Sequence, residues 1–141
     1  MKIKMKKGLI VVMMIGMTAI AGCSRKNDSG EKESVAEKGS FVQISPQEAK
    51  KIMDTQENII ILDVRTEAEY SEGHIPGAIL IPDMEIGDRA EEELTDKDQT
   101  ILVYCRSGRR SKNAARELCS LGYTDVREFG GIIDWPYEIV K

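Results

Sequence analysis

Metal-binding side chains are scarce in this 141-residue chain. One histidine and three cysteines, with no Cys-x-x-Cys pair, do not give the ligand spacing of a classical zinc site. The odd cysteine count also means that the three cannot all pair internally. Positive charge is not in excess: 20 basic residues face 24 acidic ones, a net charge of −4. Even that figure flatters the basic side, because Lys2, Lys4, Lys6 and Lys7 precede the first acidic residue, Asp28. Beyond residue 22 the chain holds 16 basic and 24 acidic residues, hence −8. Nucleic-acid binding rests on Lys and Arg neutralising phosphates, so this balance argues against such a partner. A membrane-crossing helix needs about 20 apolar residues, and residues 8–22 supply only 15 without a charge. There is no internal repeat. What is present is a globular composition, 41% hydrophobic and 31% charged, at a length that allows one domain.

Residues 1–22 read as an address, not as fold. Four lysines in the first seven positions precede an apolar run of the length of a signal-peptide core. The run ends in Ile20-Ala21-Gly22-Cys23, small residues directly before a cysteine. This pattern resembles the lipobox of bacterial lipoprotein signals, with Ile20 where leucine is commoner. The resemblance implies that Cys23 is diacylated through sulfur and becomes the mature N-terminus, each buried CH2 contributing about 0.8 kcal/mol of anchoring. The lysines place the N-terminus in the cytoplasm and everything after Cys23 outside it. Lipid on Cys23 then holds an extracytoplasmic protein to the cell membrane. In residues 24–40 only Val35 and Ala36 are apolar, so residues 23–40 are expected to be a disordered tether. Its 17 residues after Cys23 reach roughly 20–25 Å. The remaining 101 residues, 41–141, suffice for one small core.

Within residues 41–141 extended and helical patterns alternate. Strands are expected at 41–44, 59–64, 78–81, 100–104 and 125–129. The second is a nearly continuous apolar run, as in a strand buried on both faces. Ser45-Pro46-Gln47-Glu48 and Thr66-Glu67-Ala68-Glu69 are capping boxes. The first predicts a helix to about Met53, and Gly73 stops the second. Further helices are expected at 86–94 and 110–121. Gly130-Gly131 is expected to break the chain before a short helix near Asp134. Alternation without hairpin turns implies an α/β fold with a parallel sheet covered on both faces.

The chemistry of such a sheet sits at the carboxyl ends of its strands. The most polar end here reads Tyr104-Cys105-Arg106-Ser107-Gly108-Arg109-Arg110-Ser111. The loop can curl its backbone N–H groups around the sulfur. The following helix N-terminus adds about half a positive charge, and three arginines lie within five residues. Cysteines in such settings have pKa values lowered to about 3.5–7.5, so the thiol is expected to be nucleophilic at neutral pH.

Ile61-Leu62-Asp63-Val64-Arg65, Glu69-Tyr70, Gly73-His74-Ile75-Pro76-Gly77-Ala78, the cysteine loop, and Gly130-Gly131 with Trp135 together resemble a single-domain rhodanese. The resemblance covers nearly all of residues 41–141. It implies a three-layer fold with a five-stranded parallel sheet flanked by helices on both faces. It also implies sulfur transfer: Cys105 attacks a sulfane sulfur donor such as thiosulfate, holds the outer sulfur as a persulfide, and passes it to a thiol or cyanide-like acceptor. No metal and no cofactor beyond the persulfide is implied, and the domain is expected to be a monomer. The loop N–H groups from Arg106 to Ser111 would stabilise thiolate and persulfide. Arg106 and Arg110 are expected to hold an anionic donor, with Arg109 turned to solvent. A phosphatase or arsenate reductase of this topology carries a longer loop, with arginine six positions after the cysteine, where this chain has Ser111. A non-enzymatic module that carries persulfide or binds a partner is the alternative outside catalysis.

Asp63 and Arg65 end the second strand. Either Asp63 supports the site loop, or Arg65 pairs with Glu69 or its neighbours to hold a turn. His74 is expected to donate a local hydrogen bond within its loop. Cys119 lies about 15 Å along its helix from the loop, beyond disulfide reach, and is expected in the core. Trp135 is also expected in the core, and Glu91-Glu92-Glu93 on a solvated face.

Overall fold

Ile101-Leu102-Val103-Tyr104-Cys105 has no charged position, and in the structure all five side chains are buried. That strand is the centre of the fold. The structure, a computed structural model, describes residues 40–141. The expected signal peptide, Cys23 and the tether as far as residue 39 lie outside the described residues.

The elements run β1 (Val42–Gln43), α1 (Pro46–Thr55), β2 (Ile60–Asp63), α2 (Glu67–Glu72), β3 (Ile79–Leu80), a 3-10 turn (Asp83–Glu85), α3 (Ile86–Glu93), β4 (Ile101–Cys105), α4 (Arg109–Ser120), β5 (Val126–Gly131) and a final 3-10 turn (Ile132–Asp134). Both capping boxes form. Ser45 Oγ accepts from Glu48 N at 3.2 Å while Glu48 accepts from Ser45 N at 2.7 Å, and Thr66 and Glu69 repeat the exchange at 3.3 and 3.0 Å. Such a cap stabilises a helix by about 1 kcal/mol, and α1 continues two residues past Met53. Among the described residues no helix is long and apolar enough to cross a membrane.

All five strands are parallel, in the order β1-β5-β4-β2-β3. Successive strand side chains face opposite ways, and β4 divides its five accordingly. Ile101, Val103 and Cys105 join Leu62 and Val64 under Ile86 and Ala90 of α3 and Ala114, Ala115 and Leu118 of α4. Leu102 and Tyr104 join Ala49 of α1, Phe129 and Trp135 on the other face. Burying a side chain such as Ile101 or Leu118 contributes about 1.5–3 kcal/mol. The chain leaves β2 toward one edge of the sheet and β4 toward the other. The crevice between their carboxyl ends is therefore the topological switch point, where open α/β sheets place their ligands.

Three strands differ from the sequence expectation for a physical reason. The edge strands β1 and β3 shrink to two residues each, since each has one neighbour to hold it. Gly130-Gly131 does not break the chain before the last turn but completes β5. Gly130 takes φ +91°, which an L side chain resists, and the register slips so that Cys105 pairs with Gly131.

Candidate active site

The carboxyl end of β4 delivers the Cys105 sulfur into the loop that joins it to α4. Gly108 turns the chain at φ +101° and opens α4. Its backbone N–H lies 3.0 Å from Cys105 Sγ, and Ser111 Oγ lies 3.4 Å from the same sulfur. Burial by itself pushes the thiol up. The Ser111 hydroxyl and the backbone N–H groups of Ser111, Gly108 and Ser107 outweigh it, so the Cys105 pKa is lowered from the ordinary thiol value. The residue is only 1% exposed, so the sulfur sits at the floor of the loop. Such a cradle favours a sulfur anion over a thiol.

The loop fits against β5 because Gly131 has no side chain. A Cβ there would stand 2.0 Å from the Arg106 carbonyl oxygen and 2.5 Å from the Ser107 nitrogen. Ile133 N donates to the same Arg106 oxygen at 3.3 Å. A cavity of about 370 Å³ is lined by Arg65, Glu69, Glu72, Arg106, Ile132 and Ile133. A second, of about 290 Å³, lies among Lys50, Met53, Ile75, Trp135 and Tyr137. Among the described residues no group of three or more His, Cys, Asp or Glu side chains is placed to hold a metal ion.

The sequence and the fold of this domain are matched in known proteins. The family profile described as the rhodanese-like domain covers residues 45–136. The chain belongs to the rhodanese-like domain family. Over 80 residues it is 41% identical to the thiosulfate sulfurtransferase PspE of Escherichia coli K12, spanning 57% of this chain and 77% of that protein. It is 39% identical over 107 residues to the putative sulfur carrier protein YrkF of Bacillus subtilis, spanning 75% of this chain and 57% of that protein. Among solved structures, a rhodanese with anions from E. coli superposes with a TM-score of 0.55 at 39% identity, over 58% of this chain and 96% of the other. SSP1007 of Staphylococcus saprophyticus superposes at 0.64 with 27% identity, over 72% of this chain and all of the other. The relatives support assignment to the rhodanese-like sulfurtransferases.

Not every arginine of this rhodanese-like domain stands where the sequence suggested. Arg106 is exposed and lines the cavity, and Arg109 faces solvent as expected. Arg110, expected to hold an anionic donor, instead grips Glu69: Nη1 and Nη2 donate to its two carboxylate oxygens at 2.8 and 2.7 Å. A bidentate pair of this kind is specific in geometry and commits both terminal nitrogens. The Arg110 guanidinium holds the Glu69 carboxyl down to about 2, and burial opposes the shift only in part. The sequence contains the reason: Glu69 is fixed by its own capping box, so its carboxylate waits at the edge of the loop.

Of the readings offered for Arg65, a direct pair with Glu69 does not form, but the guanidinium does hold a turn, through the Gly73 carbonyl. Arg65 folds back on Asp63, with Nε at 3.0 Å and Nη2 at 2.6 Å from its two carboxylate oxygens, and donates to Gly73 O at 2.8 Å. Asp63 also accepts from Tyr104 Oη at 2.7 Å, and Tyr104 Oη in turn accepts from Ile75 N at 3.1 Å. Asp63 and Tyr104 are register partners across β2 and β4. This cluster braces the end of β2 against the His74-Ile75-Pro76 loop, and the hydrogen bonds of Asp63 go to Arg65 and Tyr104. His74 Nδ1 lies 3.0 Å from Tyr70 O and its ring stacks on Tyr70, a packing role. Cys119 and Trp135 are buried, and Glu91, Glu92 and Glu93 are exposed.

Sequence reasoning missed Glu128. It is 1% exposed, and its carboxylate is met only by neutral donors: Ser111 Oγ at 2.7 Å, Gly130 N at 2.8 Å and Gln43 Nε2 at 3.1 Å. The available signal was its position in β5, where an acidic residue two before Gly130 occupies an otherwise inward-facing site.

Proposed function

We propose that this rhodanese-like domain moves sulfane sulfur through a persulfide on Cys105. The observation that carries the reading is the contact of Gly108 N–H with Cys105 Sγ at 3.0 Å, in a loop whose Ser107 and Ser111 N–H groups also favour the sulfur anion. The Cys105 thiolate attacks the outer sulfur of a donor such as thiosulfate, and the new S–S bond forms as the donor's S–S bond breaks and sulfite leaves. The loop N–H groups, which first held the thiolate, then hold the terminal sulfur of Cys105–S–S⁻, as an oxyanion hole holds developing charge. A thiolate or cyanide acceptor attacks that terminal sulfur and restores the Cys105 thiolate. Among the loop arginines, Arg106 lines the cavity and attracts an anionic donor, Arg109 faces solvent and Arg110 is engaged by Glu69. The name of PspE, a thiosulfate sulfurtransferase, favours thiosulfate as donor.

Phosphate-ester chemistry fits less well. The sixth position after Cys105 is Ser111, which contacts the sulfur, and no guanidinium takes its place. The domain acts as a monomer, outside the cytoplasm, tethered by lipid on Cys23. The purified protein should form thiocyanate from thiosulfate and cyanide and gain about 32 Da, one sulfur atom, on Cys105. Thiocyanate production no greater than that of Cys105→Ser, with no such adduct, would overturn the enzymatic reading. The adduct without turnover would instead favour a sulfur carrier, the role printed in the name of YrkF.

A further inference from the structure

Ser111 has one hydroxyl proton and more than one taker. Its oxygen lies 2.7 Å from Glu128 Oε1 and 3.4 Å from Cys105 Sγ, with the carbonyl oxygens of Gly108 and Gly130 at 3.0 and 3.3 Å. The shortest contact is to Glu128. Ser111 is fully buried and Glu128 and Cys105 are each 1% exposed, so the chain from sulfur to carboxyl lies inside the protein. Two arrangements of hydrogens fit the same heavy atoms. In one, Cys105 S–H donates to Ser111 Oγ, and Ser111 O–H donates to the Glu128 carboxylate. In the other, a protonated Glu128 donates to Ser111 Oγ, and Ser111 O–H donates to the Cys105 thiolate.

Charge decides why both matter. A thiolate and a carboxylate on either side of one buried hydroxyl repel each other, and burial penalises the double anion. One negative charge shared between them avoids that cost. Among the described residues Glu128 forms no ion pair. From β1 it meets the amide of Gln43, from β4 its register partner Val103, from α4 the hydroxyl of Ser111, and from its own strand Gly130 N–H. At the sulfur end, the charge of Arg110 is coupled to Cys105 and is offset by its pair with Glu69 and by Asp83.

We propose that Ser111 relays a proton between Cys105 and Glu128, making Glu128 the internal store for the proton that the nucleophilic thiol gives up. The step is balanced: Cys–SH, Ser–OH and Glu–COO⁻ become Cys–S⁻, Ser–OH and Glu–COOH. The S–H bond and the Ser111 O–H bond break, new O–H bonds form on Ser111 and Glu128, and no proton reaches solvent. Glu128 acts through Ser111 and is a positioning residue, not a catalytic one. The inference rests on Cys105 as the nucleophile of the proposed function, but its readout is thiol alkylation, so absence of sulfurtransferase turnover leaves it intact.

The test is the pH profile of Cys105 alkylation by iodoacetamide on the full chain, read by mass spectrometry of the Cys105 peptide. Two groups coupled by more than about one pH unit titrate in two steps that belong to the pair. The wild type should therefore show two limbs, and Glu128→Gln a single limb, about one pH unit or more below the upper wild-type limb. In a Ser111→Ala background, Glu128→Gln should lose most of this effect. A single wild-type limb that Glu128→Gln reproduces would overturn the relay. So would an equal effect of Glu128→Gln with and without Ser111, which would mean coupling through space. A measurement on the wild type alone covers variants that do not fold. Between the two limbs, alkylating Cys105 should abolish the infrared stretch of a protonated carboxyl, as Glu128 releases its proton once the thiolate is consumed. An unchanged carboxyl spectrum would overturn the proposal.

Discussion

Arg110 and Glu69 face each other as a bidentate ion pair, 2.8 and 2.7 Å across, at the lip of the loop that holds Cys105. Both are about a quarter exposed, so the pair is screened on one side and is an electrostatic setting more than a structural pillar. Its consequence is for substrate. Glu69 engages one N–H of each terminal nitrogen and offsets the Arg110 charge, and without Arg110 its carboxylate would face the cavity uncompensated. Replacing Glu69 with glutamine should free the guanidinium and lower the thiosulfate KM by about two- to five-fold, the equivalent of about 0.5–1 kcal/mol for a partly exposed pair. Arg110→Ala should raise KM instead, and more for thiosulfate than for a neutral persulfide donor. Equal effects on both donors would show that the pair plays no part in donor selection.

The same pair sets a pH dependence of stability. The Glu69 carboxyl titrates at about 2 in the folded protein, against about 4.3 in an unfolded chain. A lowered folded value means stability that is fully present above the unfolded value and is lost as pH falls from about 5 toward 2. The wild type should therefore exceed Glu69→Gln in Tm at pH 7, and the gap should shrink steadily below pH 4. A gap that stays constant down to pH 2 would contradict the assignment.

How much of this was legible in the sequence follows from how local each signal is. The two capping boxes, the apolar β4 run and the cysteine loop lie within a few consecutive residues, and all appear where expected. The partner of Arg110 is 41 residues away and reaches it only because β2 and β4 are neighbours in the sheet. Arg65 stays local instead, turned to Asp63, two residues away and wholly buried. Glu128 was missed because its partner, like that of Arg110, is distant along the chain. Nothing in its neighbours announces that β5 carries it to within 2.7 Å of a hydroxyl on α4.

Gly131 is the most constrained glycine of the site. An added Cβ would overlap the Arg106 carbonyl oxygen, 2.0 Å away, and the peptide to Ser107. Those are backbone atoms and cannot rotate aside, so Gly131→Ala must move the loop. Overpacking of this kind costs about 1–3 kcal/mol, and displacing the N–H groups from the sulfur should cut kcat/KM by a hundredfold, on the scale of losing one donor to a developing anion. Gly130→Ala should be milder in space, with nothing within 4 Å of its Cβ, but strained by its φ of +91°. Equal activity of Gly131→Ala and wild type would remove the packing argument.

The proposed tether makes a prediction of its own. Lipid on Cys23 requires a thiol at that position, so Cys23→Ser should move the protein from the membrane fraction to the soluble extracytoplasmic fraction. Two acyl chains anchor stably where one binds only marginally, so the shift should be nearly complete. Continued membrane association of the serine variant would rule out anchoring by lipid at Cys23.

Cys105 and Cys119 are both buried, free thiols, yet the structure sets them apart. Burial pushes Cys119 up with nothing to oppose it, whereas the loop donors bring Cys105 down in spite of its burial. Each pH unit between them is tenfold in the thiolate present near neutrality. With Cys23 acylated or replaced by serine, one equivalent of iodoacetamide at pH 7 should modify Cys105 at least about tenfold faster than Cys119. Lowering the pH to 6 should leave Cys105 the preferred thiol, since the ratio of the two thiolates cannot fall as pH decreases when Cys119 has the higher pKa. In Cys105→Ser the fast phase should vanish and only slow labelling of Cys119 remain. Comparable rates for the two cysteines would mean that the main-chain cradle does not activate the sulfur it surrounds.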